Sequence, residues 1–473
     1  MHIAVIGTGY VGLVSAACFA QAGHHLSCVD IDTSKIAQLE SGEIPIYEPG
    51  LAAILSDKAI RKRLTFTSNA SAAVSTSEIV FLAVGTPTRA SDGHADLSQV
   101  YAAVEGFSSA LRPGVIIATK STVPVGTADS IEYLLRGLRP DLDFDVASNP
   151  EFLRAGSAIE DFIRPDRVVI GAACQRAAAA LSGLYRSVGI DRQRILVTDS
   201  RSAELVKYAA NAFLATKIAF VNEVSDLCEK VNANIGDVAK GIGMDRRIGR
   251  QYLEPGPGFG GSCFPKDARA LARIGEDHAT PMRIIETVLA SNDARKRAMA
   301  RKVAAAQAGE LRGKTIALLG LAFKARTDDM REAVSVPLAQ SLIDGGSILR
   351  AYDPIANTRA RTVLPPSVTY CESALEAASG ADAMVLMTEW IEFKEIDFKR
   401  LKAVMRTPLI IDLRNLLDER KVRLSGFQYI GIGGNGRSAP VVTRRVPERR
   451  YKLSASGRWE ESDGSESWIY AAE

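Results

Sequence analysis

Short apolar runs recur along this chain, and most of them end abruptly in a polar cluster rich in turn-forming residues. His2-Ile3-Ala4-Val5-Ile6 stops at Gly7. Glu78-Ile79-Val80-Phe81-Leu82-Ala83-Val84 leads into Gly85-Thr86-Pro87-Thr88. Val115-Ile116-Ile117-Ala118 leads into Lys120-Ser121-Thr122-Val123-Pro124, and Phe144-Asp145-Val146-Ala147 into Ser148-Asn149-Pro150-Glu151-Phe152-Leu153. Runs of this length and content predict buried strands. Arg167-Val168-Val169-Ile170-Gly171 and Ile195-Leu196-Val197 close this first unit near Asp199. The period then changes. Leu205, Val206, Ala209, Phe213, Phe220, Val221, Val224 and Leu227 recur at helical spacing, which predicts one long helix over about 202–231. Further helices are expected at 234–242 and 281–307. Strand-like runs resume at Lys314-Thr315-Ile316-Ala317-Leu318-Leu319-Gly320 and recur near 349–354, 383–387, 409–412 and 429–433.

The pattern predicts an α/β protein: two Rossmann-like doubly wound domains joined by a long central helix. Expected limits are 1–199, 200–307 for the helical part, and 308–436. Beyond residue 436 the character changes, with Arg444-Arg445 and Arg449-Arg450 before an acidic, Ser- and Gly-bearing end. Residues 437–473 are expected to be a mostly disordered tail.

Chemistry enters at the first strand. Gly7-Thr8-Gly9-Tyr10-Val11-Gly12 follows it directly, an alanine-rich helical stretch follows that, and a second strand ends in Asp30. This is the dinucleotide fingerprint in its setting: Gly7 for the tight turn, Gly9 for approach to the pyrophosphate, Gly12 for helix–strand packing. Asp30 can accept hydrogen bonds from the ribose hydroxyls and would repel a 2′-phosphate, so NAD is expected. In open α/β sheets ligands bind beyond the carboxyl ends of strands, which makes the polar clusters site candidates.

A second stretch, Gly258-Phe259-Gly260-Gly261-Ser262-Cys263-Phe264-Pro265-Lys266-Asp267, places a thiol between a glycine run and a segment, 266–274, that reads as helix. Pro265 fits a first helical turn. A cysteine there feels the positive end of the helix dipole, which favours the thiolate. Lys266 adds positive charge beside it, and Asp267 is near enough to handle a proton or a water. Free cysteines are most often small core residues, but glycines and charges build cores poorly, so a reactive thiol is the expectation. On the long helix Glu204, Lys207 and Asn211 share one face. Lysine is seldom buried, so taken alone that face reads as solvated.

Composition narrows the class. The 58 basic and 55 acidic residues nearly cancel, which gives no electrostatic case for nucleic acid. The six cysteines are scattered without CxxC or metal-ligand spacing, against a zinc site and in favour of a reducing compartment. The first 23 residues carry no Lys or Arg, unlike a secretory n-region, and no apolar run reaches membrane-spanning length. A cytoplasmic protein is expected, with no metal and no membrane.

The fingerprint, Gly85-Thr86-Pro87-Thr88, Ser121-Thr122-Val123-Pro124-Val125, Asn149-Pro150-Glu151-Phe152-Leu153, Lys207 with Asn211, the cysteine loop and Ala322-Phe323-Lys324 occur in this order over about residues 1–433. Together they resemble the nucleotide-sugar 6-dehydrogenases, the UDP-glucose/GDP-mannose dehydrogenase family, and the cysteine loop looks more like the UDP-glucose branch. The resemblance implies an NAD domain, a central helical segment forming a homodimer interface, and a C-terminal UDP-binding domain. It implies NAD-dependent, four-electron oxidation of UDP-glucose to UDP-glucuronate through a thiohemiacetal and a thioester on Cys263. Relatives acting on GDP-mannose or UDP-N-acetylmannosamine are the alternative. A binding protein without catalysis, or a single-step hydroxyacid-type dehydrogenase, would need no such thiol.

Site roles implied by the resemblance fall into three groups. Lys207 and Asn211 would stabilise an oxyanion or move its proton, while Asp267 and Glu151, with Thr122 holding a water, would serve hydrolysis. Cofactor contacts would be Gly7, Gly9, Tyr10, Val11, Gly12 and Asp30, with Lys35, Thr86, Thr122 and Arg331. Substrate contacts would be Glu151, Phe152, Leu153, Arg154, Lys207 and Asn211, then Tyr252, Gly258, Phe323, Lys324 and Arg414, with Arg247 reaching the substrate of the partner subunit. Ala155 departs from the family, whose members commonly carry a second glutamate there.

Overall fold

The structure is a computed structural model that describes residues 1–89, 91–434, 450–453 and 459–462. Its first sheet has eight strands: β1 (His2–Ile6), β2 (His25–Val29), β3 (Leu64–Thr67), β4 (Ile79–Leu82), β5 (Val115–Thr119), β6 (Phe144–Ser148), β7 (Val168–Ala172) and β8 (Ile195–Thr198). Their spatial order is β3-β2-β1-β4-β5-β6-β7-β8. All pairs are parallel except β6 with β7, where Ala147 faces Ala172. The order reverses direction between β1 and β4, and that crevice is where a doubly wound sheet takes its ligand. The first helix, Tyr10–Gln21, lies flat on this sheet because Ala16, Ala17 and Ala20 add no bulk to its inner face. Phe19 anchors it by stacking on Phe81 at 5.7 Å between ring centroids.

The second sheet repeats the plan. β9 (Thr315–Leu319), β10 (Ile348–Tyr352), β11 (Thr369–Tyr370), β12 (Ala383–Leu386), β13 (Leu409–Asp412) and β14 (Gln428–Ile430) run parallel in the order β11-β10-β9-β12-β13-β14. Gly320 follows β9 as Gly7 follows β1, both at positive φ, and both donate their N–H to the end of the neighbouring strand. Asp353 follows β10 as Asp30 follows β2. The chemistry diverges there. Asp353 Oδ2 accepts from the N–H groups of Leu321 and Ala322, and Oδ1 from those of Ile355 and Ala356. With both oxygens spent on backbone, and no glycine at the remaining fingerprint positions, this unit lacks the ribose-binding acid of a dinucleotide site.

The central helix, Ser200–Val231, begins at Asp199, whose carboxylate caps the Ser202 N–H at 2.8 Å. It ends at Asn232 in the left-handed region. Its 32 residues span about 48 Å. Near its start, Glu204 reaches the first sheet, accepting from Gly126 N, Ala128 N and Ser148 Oγ. Near its end, Glu229 accepts from Gly433 N at 2.8 Å, beside the last strand of the second sheet. Two helices pack on its middle: Phe264–Asp277, through Ala268 and Leu271 against Tyr208 and Ala212, and Arg283–Ala306, through Ile285.

β3 and β11 were not anticipated; they have four and two residues, too few to show a period. The expectation of a disordered tail falls mostly on residues outside the described ones, Trp468 and Tyr470 included. Within that stretch β15 (Arg450–Leu453) and β16 (Trp459–Ser462) form an antiparallel pair. Among the described residues no helix is long and apolar enough to cross a membrane, and no cluster of His, Cys, Asp and Glu is arranged to hold a metal.

Candidate active site

The crevice beyond β1 and β4 opens into a cleft of about 1170 Å³ whose far wall comes from the second unit. On its floor the three fingerprint glycines are distinguishable by what a Cβ would meet. At Gly7 (φ +105°) it would stand 2.6 Å from the Ala83 carbonyl oxygen, and at Gly12 1.9 Å from that of Gly7. At Gly9 it would meet nothing within 4 Å, because that side of the turn is open. Gly7 and Gly12 therefore serve the fold, and Gly9 leaves room for a pyrophosphate over the N-terminus of the Tyr10–Gln21 helix. Asp30 is held by the Thr8 N–H (2.9 Å) and hydroxyl (2.7 Å) on Oδ2 and by the Asp32 N–H (3.1 Å) on Oδ1. Its pKa lies below the ordinary value although burial opposes this, since these donors and Lys35 at 3.8 Å favour the carboxylate. Tyr10, Val11, Thr86, Thr122 and Arg331 line the same cleft, and the Thr86 hydroxyl donates to the Thr122 carbonyl at 2.8 Å. These residues fit a bound NAD.

Cys263 stands on the wall of this cleft, half-buried, immediately before the helix Phe264–Asp277. Gly258 and Gly261, at φ +123° and +83°, bend the loop into place, and Gly261 leaves no space beside the Phe323 ring for a side chain. Beneath the thiol lie four polar side chains from three segments. Lys207, only 2% exposed, pairs with Glu151 Oε1 at 3.2 Å. Asp267, fully buried, accepts from Asn211 Nδ2 at 2.6 Å through one oxygen. Its other oxygen lies 2.8 Å from Lys266 Nζ, in ionic contact but at angles outside hydrogen bonding. The helical face of Lys207 and Asn211 is thus interior, because a lysine can be buried where carboxylates meet it.

Electrostatics here correct one expectation. Burial pushes the Cys263 thiol above its ordinary pKa; Glu151 pushes the same way, and Lys207 only partly offsets it. In the free protein the thiol form is favoured, against the thiolate expected from the helix dipole. Among neighbouring charges it is Lys207, rather than Lys266, that pulls the thiol down. Burial pulls the Lys207 ammonium down too, but Glu151, Cys263 and Asp267 outweigh it and hold its pKa above that of free lysine. Lys207 is therefore a fixed cation beside the sulfur.

The remaining expected contacts divide. Phe152 lies beneath two cations, Arg167 at 3.7 Å and Lys207 at 5.3 Å from its ring centroid. Leu153 lines the cleft, its N–H held by Glu151 Oε2 at 2.5 Å. Arg154 is paired with Asp161 at 2.6 Å. Tyr252, at φ +64°, sets its ring 5.9 Å from that of Phe264, beside the cysteine. Arg414 reaches the Phe323 carbonyl at 3.1 Å and Glu389 at 3.4 Å, and Glu389 is the charge that most offsets the burial of Lys324. Arg247 does not join this site. Its side chain is 89% exposed and, among the described residues, pairs only with Asp245. Ala155 lines the cleft near Tyr10, and beside it Glu48 accepts from the Tyr10 hydroxyl and the N–H groups of Gly156 and Ala158.

Several supporting residues were not singled out from sequence. Asn292 clamps Phe259 by donating to its carbonyl (3.1 Å) and accepting from its N–H (2.8 Å). Arg295 donates to the Gly256 carbonyl at 3.0 Å. Glu332 holds both Arg269, on the cysteine helix, and Lys296. Asn292 and Arg295 lie on the helix Arg283–Ala306, where their only signal was helical spacing, and Glu332 lies in a turn before the helix Ser335–Asp344, with no local signal at all.

Residues 1–189, 201–294 and 317–419 match the NAD binding, central and UDP binding domains of one family. The chain is 51% identical over 435 residues to a Rhizobium meliloti protein named UDP-glucose 6-dehydrogenase, covering 92% of this chain and 99% of that one. A Pseudomonas aeruginosa protein of the same name is 47% identical over 442 residues, covering 92% and 97%. Among solved structures, a UDP-glucose dehydrogenase from Pyrobaculum islandicum aligns with a TM-score of 0.84 at 40% identity, over 91% of this chain and 97% of that one. A UDP-D-ManNAc dehydrogenase from Pyrococcus horikoshii aligns at 0.80 and 28%, over 92% and 100%. On the match of all three family domains and on 51% identity across most of its length, the chain belongs to the UDP-glucose/GDP-mannose dehydrogenase family.

Proposed function

We propose that this protein oxidises the primary alcohol of UDP-glucose to the carboxylate of UDP-glucuronate, in two oxidations at one carbon. The observation that carries this reading is the meeting of Cys263, Lys207, Glu151, Asn211 and Asp267 at a cleft shared with the dinucleotide cradle. A single oxidation would not need the thiol.

NAD⁺ supplies the two-electron acceptor for each oxidation. Lys207, held charged, and Asn211 stabilise negative charge on the reacting oxygen during the first step. The alcohol proton leaves through water held by Thr122 towards Glu151. The Cys263 sulfur then bonds the aldehyde carbon, and its proton passes by way of Asp267 to the carbonyl oxygen, which becomes the hydroxyl of a thiohemiacetal. The second oxidation converts this to a thioester. A water activated by Asp267 or Glu151 adds to the thioester carbon, the C–S bond breaks, and the thiol is reprotonated. The raised pKa of the free thiol suits this sequence, since the nucleophile is needed only after the aldehyde has formed.

The second unit would hold the UDP portion, with Phe323, Lys324 and Arg414 facing it across the cysteine loop, and the division at 199/200 and 307/308 is part of this proposal. On the central helix Phe213, Phe220, Leu227 and Val231 are each more than half exposed and share one face. An apolar stripe of that kind supports a homodimer through this helix, with Arg247 free to reach the partner's substrate. The free cysteines support a reducing compartment such as the cytoplasm.

The test is the ratio of NADH formed to UDP-glucose consumed, for the protein and for Cys263→Ser. Two per sugar, with turnover collapsing in the variant, is expected. One per sugar, unaffected by loss of the thiol, would overturn the thioester route. Turnover of GDP-mannose or UDP-N-acetylmannosamine in its place would move the substrate assignment within the family.

A further inference from the structure

Immediately after β5, Lys120 is buried at 3% exposure, yet among the described residues no carboxylate pairs with it. Its Nζ donates to the Tyr185 hydroxyl at 2.7 Å, to Asn149 Oδ1 at 3.1 Å and to the Asn149 carbonyl at 3.4 Å. Three hydrogens find three neutral acceptors. Tyr185 in turn donates to Asn149 Oδ1 at 2.6 Å, and Asn149 Nδ2 donates to the Val169 carbonyl on β7 at 2.8 Å. The network therefore ties together the ends of β5 and β6, strand β7, and the helix Gln175–Ser187 that carries Tyr185. Burial brings the amine down to about 7, and the two charged groups that act on it are Glu151, which favours the ammonium, and Lys207, which opposes it. The rings of Phe81 and Tyr185 complete its surroundings, at 5.8 and 5.4 Å.

A buried amine is expensive to keep where a methionine would fill the same space. The cost is intelligible from what lies on either side of it in the chain. Thr122, two residues on, lines the cleft, and Asn149, the residue Lys120 grips, is two residues before Glu151. We propose that Lys120 is a positioning residue for the oxidation: through Asn149 and Tyr185 it clamps the Pro150-Glu151 turn so that the Glu151 carboxylate meets Lys207 and the reacting carbon. The inference rests on the proposed role of Glu151, and its test separates the two.

The experiment is a double-variant cycle on the full-length protein, reading kcat and KM with UDP-glucose and NAD. Lys120→Met is expected to lower kcat roughly 10–100-fold, the scale of a misplaced catalytic group, with both KM values unchanged. In a Glu151→Gln background the same substitution is expected to cost nothing further, because the group it positions is already disabled. Tyr185→Phe, which removes one acceptor and keeps the amine, runs in the same cycle should Lys120→Met fail to fold. It is expected to give a smaller loss that also vanishes in the Glu151→Gln background. Additive losses, or KM rising in step with falling kcat, would overturn positioning and leave Lys120 a structural residue. A Glu151→Gln variant with full kcat would overturn the role of Glu151, and this inference with it.

Discussion

Lys207→Met separates what the buried pair does for the fold from what it does for the reaction. Glu151 and Lys207 are 3.2 Å apart, with side chains 7% and 3% exposed. Removing the ammonium strands a carboxylate in the interior, which costs about 3–5 kcal/mol. The carboxyl has an escape, since it can take a proton. An ordinary glutamate titrates at about 4.3, and holding the proton at pH 7 costs about 1.4 kcal/mol for each unit above that, or about 3.7 kcal/mol. That sets a ceiling on the loss at pH 7. For a unit of this size it corresponds to a fall in melting temperature of about 7–15 °C. The sign with pH follows. The stranded carboxyl is protonated in both folded and unfolded chains below about pH 4, so the deficit shrinks as pH falls and is about 1 kcal/mol at pH 5. The wild-type ammonium adds no slope here, because its raised pKa keeps it charged throughout. Scanning calorimetry at pH 7 and pH 5 measures both numbers. Lys207→Met/Glu151→Leu should recover most of the lost stability, as apolar replacements of buried pairs do, while remaining inactive. A Lys207→Met protein as stable as wild type at pH 7, or a deficit that does not shrink at pH 5, would refute the buried-pair argument.

The remaining predictions concern the cradle, the thiol and the exposed stripe. Gly12→Ala puts a Cβ 1.9 Å from the Gly7 carbonyl oxygen, backbone that cannot yield, so NAD affinity measured by fluorescence titration should be lost while the second unit stays folded. Iodoacetamide should alkylate Cys263 more slowly at neutral pH than it does a free cysteine, with a rate that keeps rising above the ordinary thiol range, since burial and Glu151 raise its pKa; Lys207→Met should slow it further. Phe213→Asp/Phe220→Asp places two charges on the apolar stripe of the central helix; if the proposed homodimer forms there, sedimentation velocity should show a dimer for the wild type and a monomer for the variant.

Where chemistry depended on neighbours in the chain, the sequence made it legible. Strand, glycine turn, helix and acid are contiguous, so the fingerprint could be placed from residues 3 to 30, and each glycine meets the obstacle or open space its role requires. The cysteine loop was legible for the same reason, with Asp267 one helical turn beyond the thiol. What could not be seen was the sign of the thiol's shift. Helix dipole and Lys266 are local and visible in sequence; burial and Glu151, which prevail, are set by a strand end more than a hundred residues earlier. The interior placement of Lys207 and Asn211 was hidden likewise, because nothing in a helical period says which face meets carboxylates.

The two units carry this contrast inside one chain. Both begin strand, glycine, and a second strand followed by aspartate, and the first six strands of each sheet lie in the same order. Asp30 spends its oxygens on Thr8 and Asp32 at a crevice floored by Gly9, whereas Asp353 spends all its capacity on four backbone N–H groups. The first arrangement keeps an anion at the lip of an open turn; the second uses the same residue as an internal staple. Asp353→Asn should therefore cost stability, because an amide nitrogen facing backbone donors leaves N–H groups unpaired at about 1–3 kcal/mol each. Asp30→Asn, with its amide oxygen turned to Thr8, leaves one backbone N–H unpaired, that of Asp32, against two at Asp353, so it should cost less stability and mainly NAD binding. Melting curves and NAD titrations on the two variants decide this. Equal losses of stability at both positions would mean that the open turn at Gly9 has no bearing on what its aspartate does.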